Sequence, residues 1–453
     1  MAAEVKGFKG PRIGQSYYSW AISAAGFCTQ LACVFCLATL GISMASFSAG
    51  INTSPENCAI ISSVFGVTYG GFGVFWGWLA DKVGIRYTVS LSGLGAAVTM
   101  VLFGFAVTDV VSATVVYGFT GFFCAGLSSA LIPKLVCSWF HSTWMGKSLA
   151  VVTAGGTIAG FLAGFMVPAF ILGWDWRGAF IGMGVCVLVL ATVMFLVVRN
   201  DPKKLGIIPF GTPKTEIEAA MASVEDQAGC PQGKPVKSPI KEVIRRPMVW
   251  KMGVLWMIYM AGMYADSTYQ TNALQMFGWS LVIAGAVGSF YRLGQCVGAF
   301  IWAPLGDIFA RKYILLAMGI AAGAMFVING FVLQNTGNPL FGEATPFVMI
   351  VALGLTYAFV PVLNSQMSEV VEPELLGTAS GLALTISLVG SFFGPLAASA
   401  IVTATGSWGS TFVFSGICTV IVGLLAVVWL PKTGGRKYGN PFLKKQGDPT
   451  LDR

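Results

Sequence analysis

Twelve mainly apolar stretches alternate with polar breaks along the chain, at approximately 19–51, 58–80, 87–107, 111–137, 147–172, 177–198, 249–276, 280–303, 313–334, 345–368, 375–403 and 408–430. Each supplies the roughly 20 apolar residues that an α-helix needs to cross a hydrocarbon layer. The pattern predicts an all-α membrane protein of twelve transmembrane helices. The breaks are short except from Asn200 to Met248, a stretch rich in Pro, Lys and Glu that separates six runs from six. The expected organisation is an N-terminal six-helix bundle (1–199), a linker (200–248), a C-terminal six-helix bundle (249–432) and a tail (433–453). In the linker, Thr215 followed three residues later by Glu218 has the capping-box pattern that opens a short helix. Ser238-Pro239 would start a second, with Ile240, Val243 and Ile244 on one face, lying along a leaflet. A partly ordered connector is the alternative. The first run is too long for a signal-peptide core and lacks a small-residue cleavage site, so no cleavable signal is expected.

The two halves repeat. Gly77-Trp-Leu-Ala-Asp-Lys-Val-Gly-Ile-Arg-Tyr87, between the second and third runs, has a worn copy in Ala303-Pro-Leu-Gly-Asp-Ile-Phe-Ala-Arg-Lys-Tyr313, with Asp307 standing 226 residues after Asp81. Gly126 to Leu135 matches Gly354 to Leu363 at an offset of 228, and Trp176, Phe180 and Gly184 match Trp408, Phe412 and Gly416 at 232. Six crossings per half is an even number, so both halves enter from the same side. That predicts two six-helix bundles related by a parallel repeat, with its axis along the membrane normal.

Composition agrees with this class. Charged residues make up 10% of the chain and hydrophobic ones 55%, against about 25% charged in soluble domains. The 57 glycines suit helices packed closely in lipid. A formal charge of +8 would admit nucleic-acid binding if the bases formed one patch, but their positions give a different account. With the N-terminus inside, Lys6, Lys9, Arg12, Lys82, Arg86, Lys147, ten bases from Arg199 to Lys251, Arg311, Lys312 and six from Lys432 to Arg453 all fall on the inner side, whereas only Arg177 lies outside. The asymmetry predicts a multi-pass protein of the cell membrane with both termini cytoplasmic. It removes the support for nucleic acid. The ten cysteines lack zinc or disulfide spacing, and Cys33-Val-Phe-Cys36 reads as packing in an apolar helix.

With span ends set aside, two formal charges remain deep in the bilayer: Asp266 in the seventh run and Arg292 in the eighth. Burying a charge at that depth costs at least about 2.5 kcal/mol. At 1.5 Å per residue they lie roughly 15 and 18 Å from the outer ends of their helices, so they are expected to be neighbours at mid-membrane. A permanent ion pair fixing two helices is one account; substrate or proton binding is the other. The guanidinium of Arg292 matches a carboxylate in bidentate geometry and remains charged. Asp266 is expected to serve as counter-ion to Arg292 or as a proton carrier. Tyr259, Tyr269 and Gln270 share the helix face of Asp266 at helical spacing, and Gln30, Tyr357 and Asn364 join them as candidate cavity residues. Interhelical packing is the alternative for each. Pro133 and Pro361 are expected to bend their helices, and Lys134 to snorkel. His141 falls in a loop, which excludes a buried histidine relay, and no phosphate-binding GxxxxGK[ST] loop occurs.

The Gly77 to Tyr87 motif, and with it the whole chain, resembles the major facilitator superfamily of secondary transporters, whose signature loop lies between spans two and three. The resemblance implies gating by Gly77, Asp81, Gly84 and Arg86, with Asp307 and Arg311 in the second copy. It also implies that Asp81 latches the outward-open state against neighbouring helix ends. Tyr117 stands where proton-driven drug exporters carry an arginine, and no proline follows Gly156, Gly160 or Gly164 at the exporter position. Tyr117-Gly118 with Gly121 and Gly126, Trp139-Phe140 with Gly146 to Ala150, and Asp201-Pro202 with Leu205-Gly206 and Pro209 to Gly211 are similar instead to monocarboxylate and oxalate:formate-type transporters. The expected function is alternating-access transport of a small organic anion, a mono- or dicarboxylate, by proton symport or anion exchange. The alternatives are a facilitator or exporter of a neutral or amphipathic molecule and, from another class, a membrane receptor or sensor. No enzyme activity, catalytic residue, metal or cofactor is expected. The expected partners are the organic anion, protons and membrane lipid, with no nucleic acid, and the protein is expected to be a monomer.

Overall fold

The computed structural model describes residues 17–127, 135, 139–140, 142–200, 210, 243–334, 344–371 and 376–432. Among them the chain is almost wholly helical, with one isolated parallel bridge between Phe140 and Phe210. The helices are α1 (Tyr17–Gly50), α2 (Ala59–Gly71), α3 (Gly73–Val83), α4 (Ile85–Ala106), α5 (Val110–Ala125), α6 (Ser142–Val197), α7 (Pro247–Met276), α8 (Leu281–Ile308), α9 (Arg311–Gln334), α10 (Thr345–Thr356), α11 (Phe359–Val370), α12 (Leu376–Thr405) and α13 (Gly409–Trp429).

Seven of these are long and apolar enough to cross a membrane, and the departures from twelve simple spans have physical causes. At 1.5 Å per residue α6 would be about 84 Å long, far more than one crossing needs. It breaks at Trp174 and Asp175, where φ of Asp175 is 65°, and so supplies spans five and six. Span two is divided at Phe72 into α2 and α3, and span ten at Tyr357 and Ala358 into α10 and α11. Span seven is α7, 30 residues long but lowered in hydropathy by Asp266, Ser267, Thr268, Gln270, Thr271 and Asn272. Span four is α5, which ends at Ala125 just before Gly126. The twelve transmembrane helices form two six-helix bundles.

In the N-terminal bundle α6 packs along α1 and α4, and α2 against α5; in the C-terminal bundle α12 and α13 pack on α7 and α9, and α10 on α8. The bundles meet along α1 and α7, α2 and α12, and α6 and α8. The last two contacts exchange under the repeat, since span two corresponds to span eight and span five to span eleven. Hydrogen bonds from Ser289 Oγ to the Phe161 carbonyl (2.6 Å) and from Ser399 Oγ to the Glu56 carbonyl (2.9 Å) tie the bundles together. Glycine permits the close approach: a Cβ on Gly285 would sit 2.5 Å from the Gly164 carbonyl oxygen. Gly41 and Gly66, whose Cβ atoms would meet the Ser267 carbonyl and Ser391, lie with Gly164 toward the ends of their spans remote from the chain termini, and Glu56 lies in the loop beyond, so the seam is drawn together on that side.

Most of the linker, including its predicted Thr215 helix, and the tail lie outside the described residues, as do Pro133, Lys134 and His141. Phe210 is described. Its N–H donates to the Trp139 carbonyl at 2.9 Å, and its ring sits among Trp20, Phe140 and Trp144. Val243 and Ile244, expected on one apolar face, are divided: Val243 is buried and Ile244 half exposed.

Candidate functional site

The seam at mid-membrane contains both deep charges. Asp266 in α7 is buried, at 4% exposure, and Arg292 in α8 is half-buried. They lie close enough for the charge of each to act on the other's surroundings, with Tyr259 near both. No direct ion pair joins them; the Arg292 guanidinium instead donates to Gln295 Oε1 at 3.1 Å. A permanent Asp266–Arg292 bridge is therefore not what fixes these two helices. The Tyr291 hydroxyl lies beside the Asp266 carboxylate without hydrogen-bond geometry, and the Arg292 guanidinium sits 5.7 Å from the Tyr291 ring centre.

Arg292 also belongs to the contact between bundles. A Cβ on Gly160 of α6 would come within 2.8 Å of Arg292 Cγ, so only glycine at that position lets the opposite bundle approach the arginine stem. By the 226-residue offset, the counterpart of Arg292 in the first half is Gly66, which packs in the equivalent seam against Ser391 of α12. One seam holds a glycine where the other holds a cation.

Around this pair the structure gathers some of the expected residues and not others. Tyr259 is buried against Tyr357 (ring centres 5.4 Å apart) and Phe359 (5.6 Å). Tyr357 also stacks on Tyr291 at 6.3 Å, at the break in span ten. Gln270 faces α8, its Oε1 3.7 Å from the place a Cβ would take on Gly288. Gln30 lies on the N-terminal side, donating from Nε2 to the Leu127 carbonyl at 3.2 Å just past the end of α5. Tyr269 is elsewhere: it is buried with Ala59, Ala265, Ala398 and Trp408, near Ser399 at the outer closure. Helical spacing puts Tyr269 near the face of Asp266, yet its ring turns to α12 because α7 is buried on several sides at once. Asn364 lies in α11, and its side chain is outside the described residues.

Gln295 and Tyr291 are not among the residues expected from the sequence, and Gly160 stands there only as one of three recurring glycines. Gln295 had a legible signal, since it lies one helical turn beyond Arg292. Its Nε2 reaches the Tyr357 carbonyl at 3.5 Å. Gly160 recurs with Gly156 and Gly164 at four-residue spacing, which marks a close helix contact but not the partner in the other bundle.

The signature loop is well placed in its backbone. Gly84 joins α3 to α4 with φ +96°, and a Cβ there would collide with the Asn200 amide. The Arg86 N–H donates to Asn200 Oδ1 at 2.9 Å, and its Nε to the Phe195 carbonyl in the last turn of α6 at 3.1 Å. Gly77, implied in gating, lies inside α3 with nothing within 4 Å of its missing Cβ. In the second copy Lys312 donates to the carbonyls of Val427 and Leu430 at the end of α13, at 3.2 and 3.4 Å. Lys312, rather than Arg311, thus repeats the contact of Arg86. Gly306 lies against the Arg311 stem. The side chains of Asp81 and Asp307 are outside the described residues.

Comparison with known proteins gives a consistent family. The sequence signature of the Major Facilitator Superfamily matches residues 26–276 and again 258–452. The membrane sensor protein UhpC of Salmonella typhimurium is 23% identical over 311 residues, 65% of this chain and 69% of that protein. A hexuronate transporter of Bacillus subtilis is 20% identical over 409 residues, 86% and 89% of the two chains. Among solved structures, a bacterial homologue of the human lysosomal transporter Spinster, in an inward-facing and occupied conformation, superposes with a TM-score of 0.69 at 15% identity, covering 92% of this chain and 97% of that one. At that identity the likeness carries the fold alone.

Proposed function

Because this chain belongs to the Major Facilitator Superfamily, a family of transporters rather than enzymes, we propose that it carries a small organic anion, a mono- or dicarboxylate, across the membrane by alternating access. The observation that carries this reading is Arg292: a guanidinium at mid-membrane, on the seam between bundles, without a carboxylate partner among the described residues. A cation at that depth is costly to keep unless it is used, and its planar donors suit a carboxylate. Similarity to a hexuronate transporter, whose named cargo is a sugar carboxylate, supports the class.

Asp266 is the proposed proton carrier. Deprotonated, its field competes with the anion for Arg292; protonated, it releases Arg292 to the anion and makes the loaded site electroneutral. Tyr259, Tyr357, Gln270 and Gln30 line the proposed path, with Tyr269 assigned to the outer closure. Gating is proposed for Gly84, Arg86 and Asp81, and for Asp307 with Arg311 in the second half. The excess of bases at the terminal side supports cytoplasmic termini in the cell membrane. The protein is proposed to act as a monomer.

The test is a thermal-shift screen of the purified protein against mono- and dicarboxylates, followed by proteoliposome uptake with and without a pH gradient. Asp266→Asn is expected to retain anion exchange and lose uptake driven by an inward proton gradient. Normal gradient-driven uptake in that variant would overturn the coupling. The UhpC likeness favours a second reading, a sensor that binds its ligand without moving it. Ligand-dependent thermal stabilisation without counterflow would select it.

A further inference from the structure

Gln295 bridges two features that the transport reading leaves unconnected. Its Oε1 accepts from Arg292 Nη1 at 3.1 Å, and its Nε2 donates to the Tyr357 carbonyl at 3.5 Å. Tyr357 and Ala358 are the residues at which span ten departs from helical geometry, with ψ of 35° and 49°. A carbonyl at such a break has lost its helical partner and needs another donor. The Leu355 carbonyl in the same turn is met by the Trp302 indole at 2.8 Å, so α8 ties down this break twice, from Gln295 and from Trp302, two turns apart.

We infer that Gln295 is a positioning residue for anion capture: it holds the Arg292 guanidinium by one arm and ties the arginine to the hinge in span ten. An anion bound by the remaining donors of Arg292 draws the guanidinium toward itself and pulls on the Nη1–Gln295 bond, and the glutamine then loosens its hold on Tyr357. Occupancy of the site is thereby transmitted to the bend between α10 and α11. The glycine-rich contact of α8 with α10, in which a Cβ on Gly294 would lie 2.7 Å from the Val351 carbonyl, leaves little slack between the two helices. This inference rests on the proposed role of Arg292 in binding an organic anion.

The test compares wild type, Arg292→Ala, Gln295→Met and Gln295→Glu as full-length purified proteins of matched gel-filtration behaviour. The probes are glucuronate, succinate and acetate. Two readouts are taken: anion-dependent thermal stabilisation, and hydrogen–deuterium exchange of the peptide spanning 352–362. Gln295→Met, which has the shape but neither hydrogen bond, is expected to weaken anion affinity about tenfold, the loss typical of a bond to a charged group. It should also speed exchange at 357–359. Gln295→Glu is expected to weaken affinity further, because its charge occupies Arg292, whereas a purely structural glutamine would make the two variants equal. Arg292→Ala should abolish binding. Loss of binding in Arg292→Ala with wild-type affinity in Gln295→Met would overturn the role of Gln295 alone. Unchanged binding in Arg292→Ala, or no response of the wild type to any of the three anions, would overturn the anion reading and this inference with it.

Discussion

Gly84 shows how one residue settles local geometry. Its backbone, φ +96° and ψ 152°, lies in a region that side chains avoid, and the missing Cβ is filled by Asn200. Gly84→Ala is therefore expected to destabilise the purified protein by about 1–3 kcal/mol, read as a lower melting temperature in detergent; an unchanged melting temperature would show that the turn relaxes freely. Asp109 offers a pH-dependent counterpart outside the spans. It caps α5 in a reciprocal box with Ser112, whose hydroxyl and N–H hold the Asp109 carboxyl below its ordinary range. A depressed carboxylate stabilises above its unfolded pKa and loses that contribution as pH falls through the folded one. Asp109→Asn should lower the melting temperature at pH 7 and converge with wild type as the pH falls below the ordinary carboxylate range. An equal deficit at low pH would contradict the capping role.

Elements are where sequence and structure part most informatively. A charge in lipid is conspicuous against apolar neighbours, so Asp266 and Arg292 stand out without coordinates. Gln295 is uncharged, and only its spacing, one turn beyond Arg292, marks it. The break in span ten falls one turn before Pro361, where a bend is expected, whereas the break at Phe72 in span two is hidden, because hydropathy averages over a span and is blind to one lost hydrogen bond. The signature loop was legible as a charge cluster, yet the use of its bases depends on which helix end lies opposite. Arg86 caps α6 and Lys312 caps α13, each placing a cation at the negative end of a helix dipole. Arg86→Ala and Lys312→Ala should each cost roughly 0.3–2 kcal/mol, and the double variant should show the sum because the sites lie in different bundles. Marked non-additivity in thermal melts would mean that the two loops act as one unit.

For the whole molecule, the repeat predicts two equivalent seams, and the structure gives two that differ in chemistry. The seam of α2 with α12 has Gly66 and Ser391; that of α6 with α8 has Gly160 against Arg292 and Gly164 against Gly285. The closure between bundles is accordingly tight but side-chain poor, which suits surfaces that must part and re-form. Gly164→Val should hold the α6–α8 seam apart and raise the reactivity of a cysteine introduced as Ser391→Cys toward a membrane-impermeant maleimide; unchanged labelling would place the closure elsewhere. The twelve-span plan could be read from hydrophobic period and charge asymmetry, because the bilayer imposes both. Which bundle faces touch could not, since that depends on glycines whose partners lie more than a hundred residues away. Arg292 gives the seam its specificity on this account, and one measurement addresses it most directly: counterflow of a radiolabelled carboxylate that stabilises the wild type, in proteoliposomes containing wild type or Arg292→Ala at equal density. The account predicts that exchange falls to the protein-free background in Arg292→Ala, whereas exchange at the wild-type rate would contradict it.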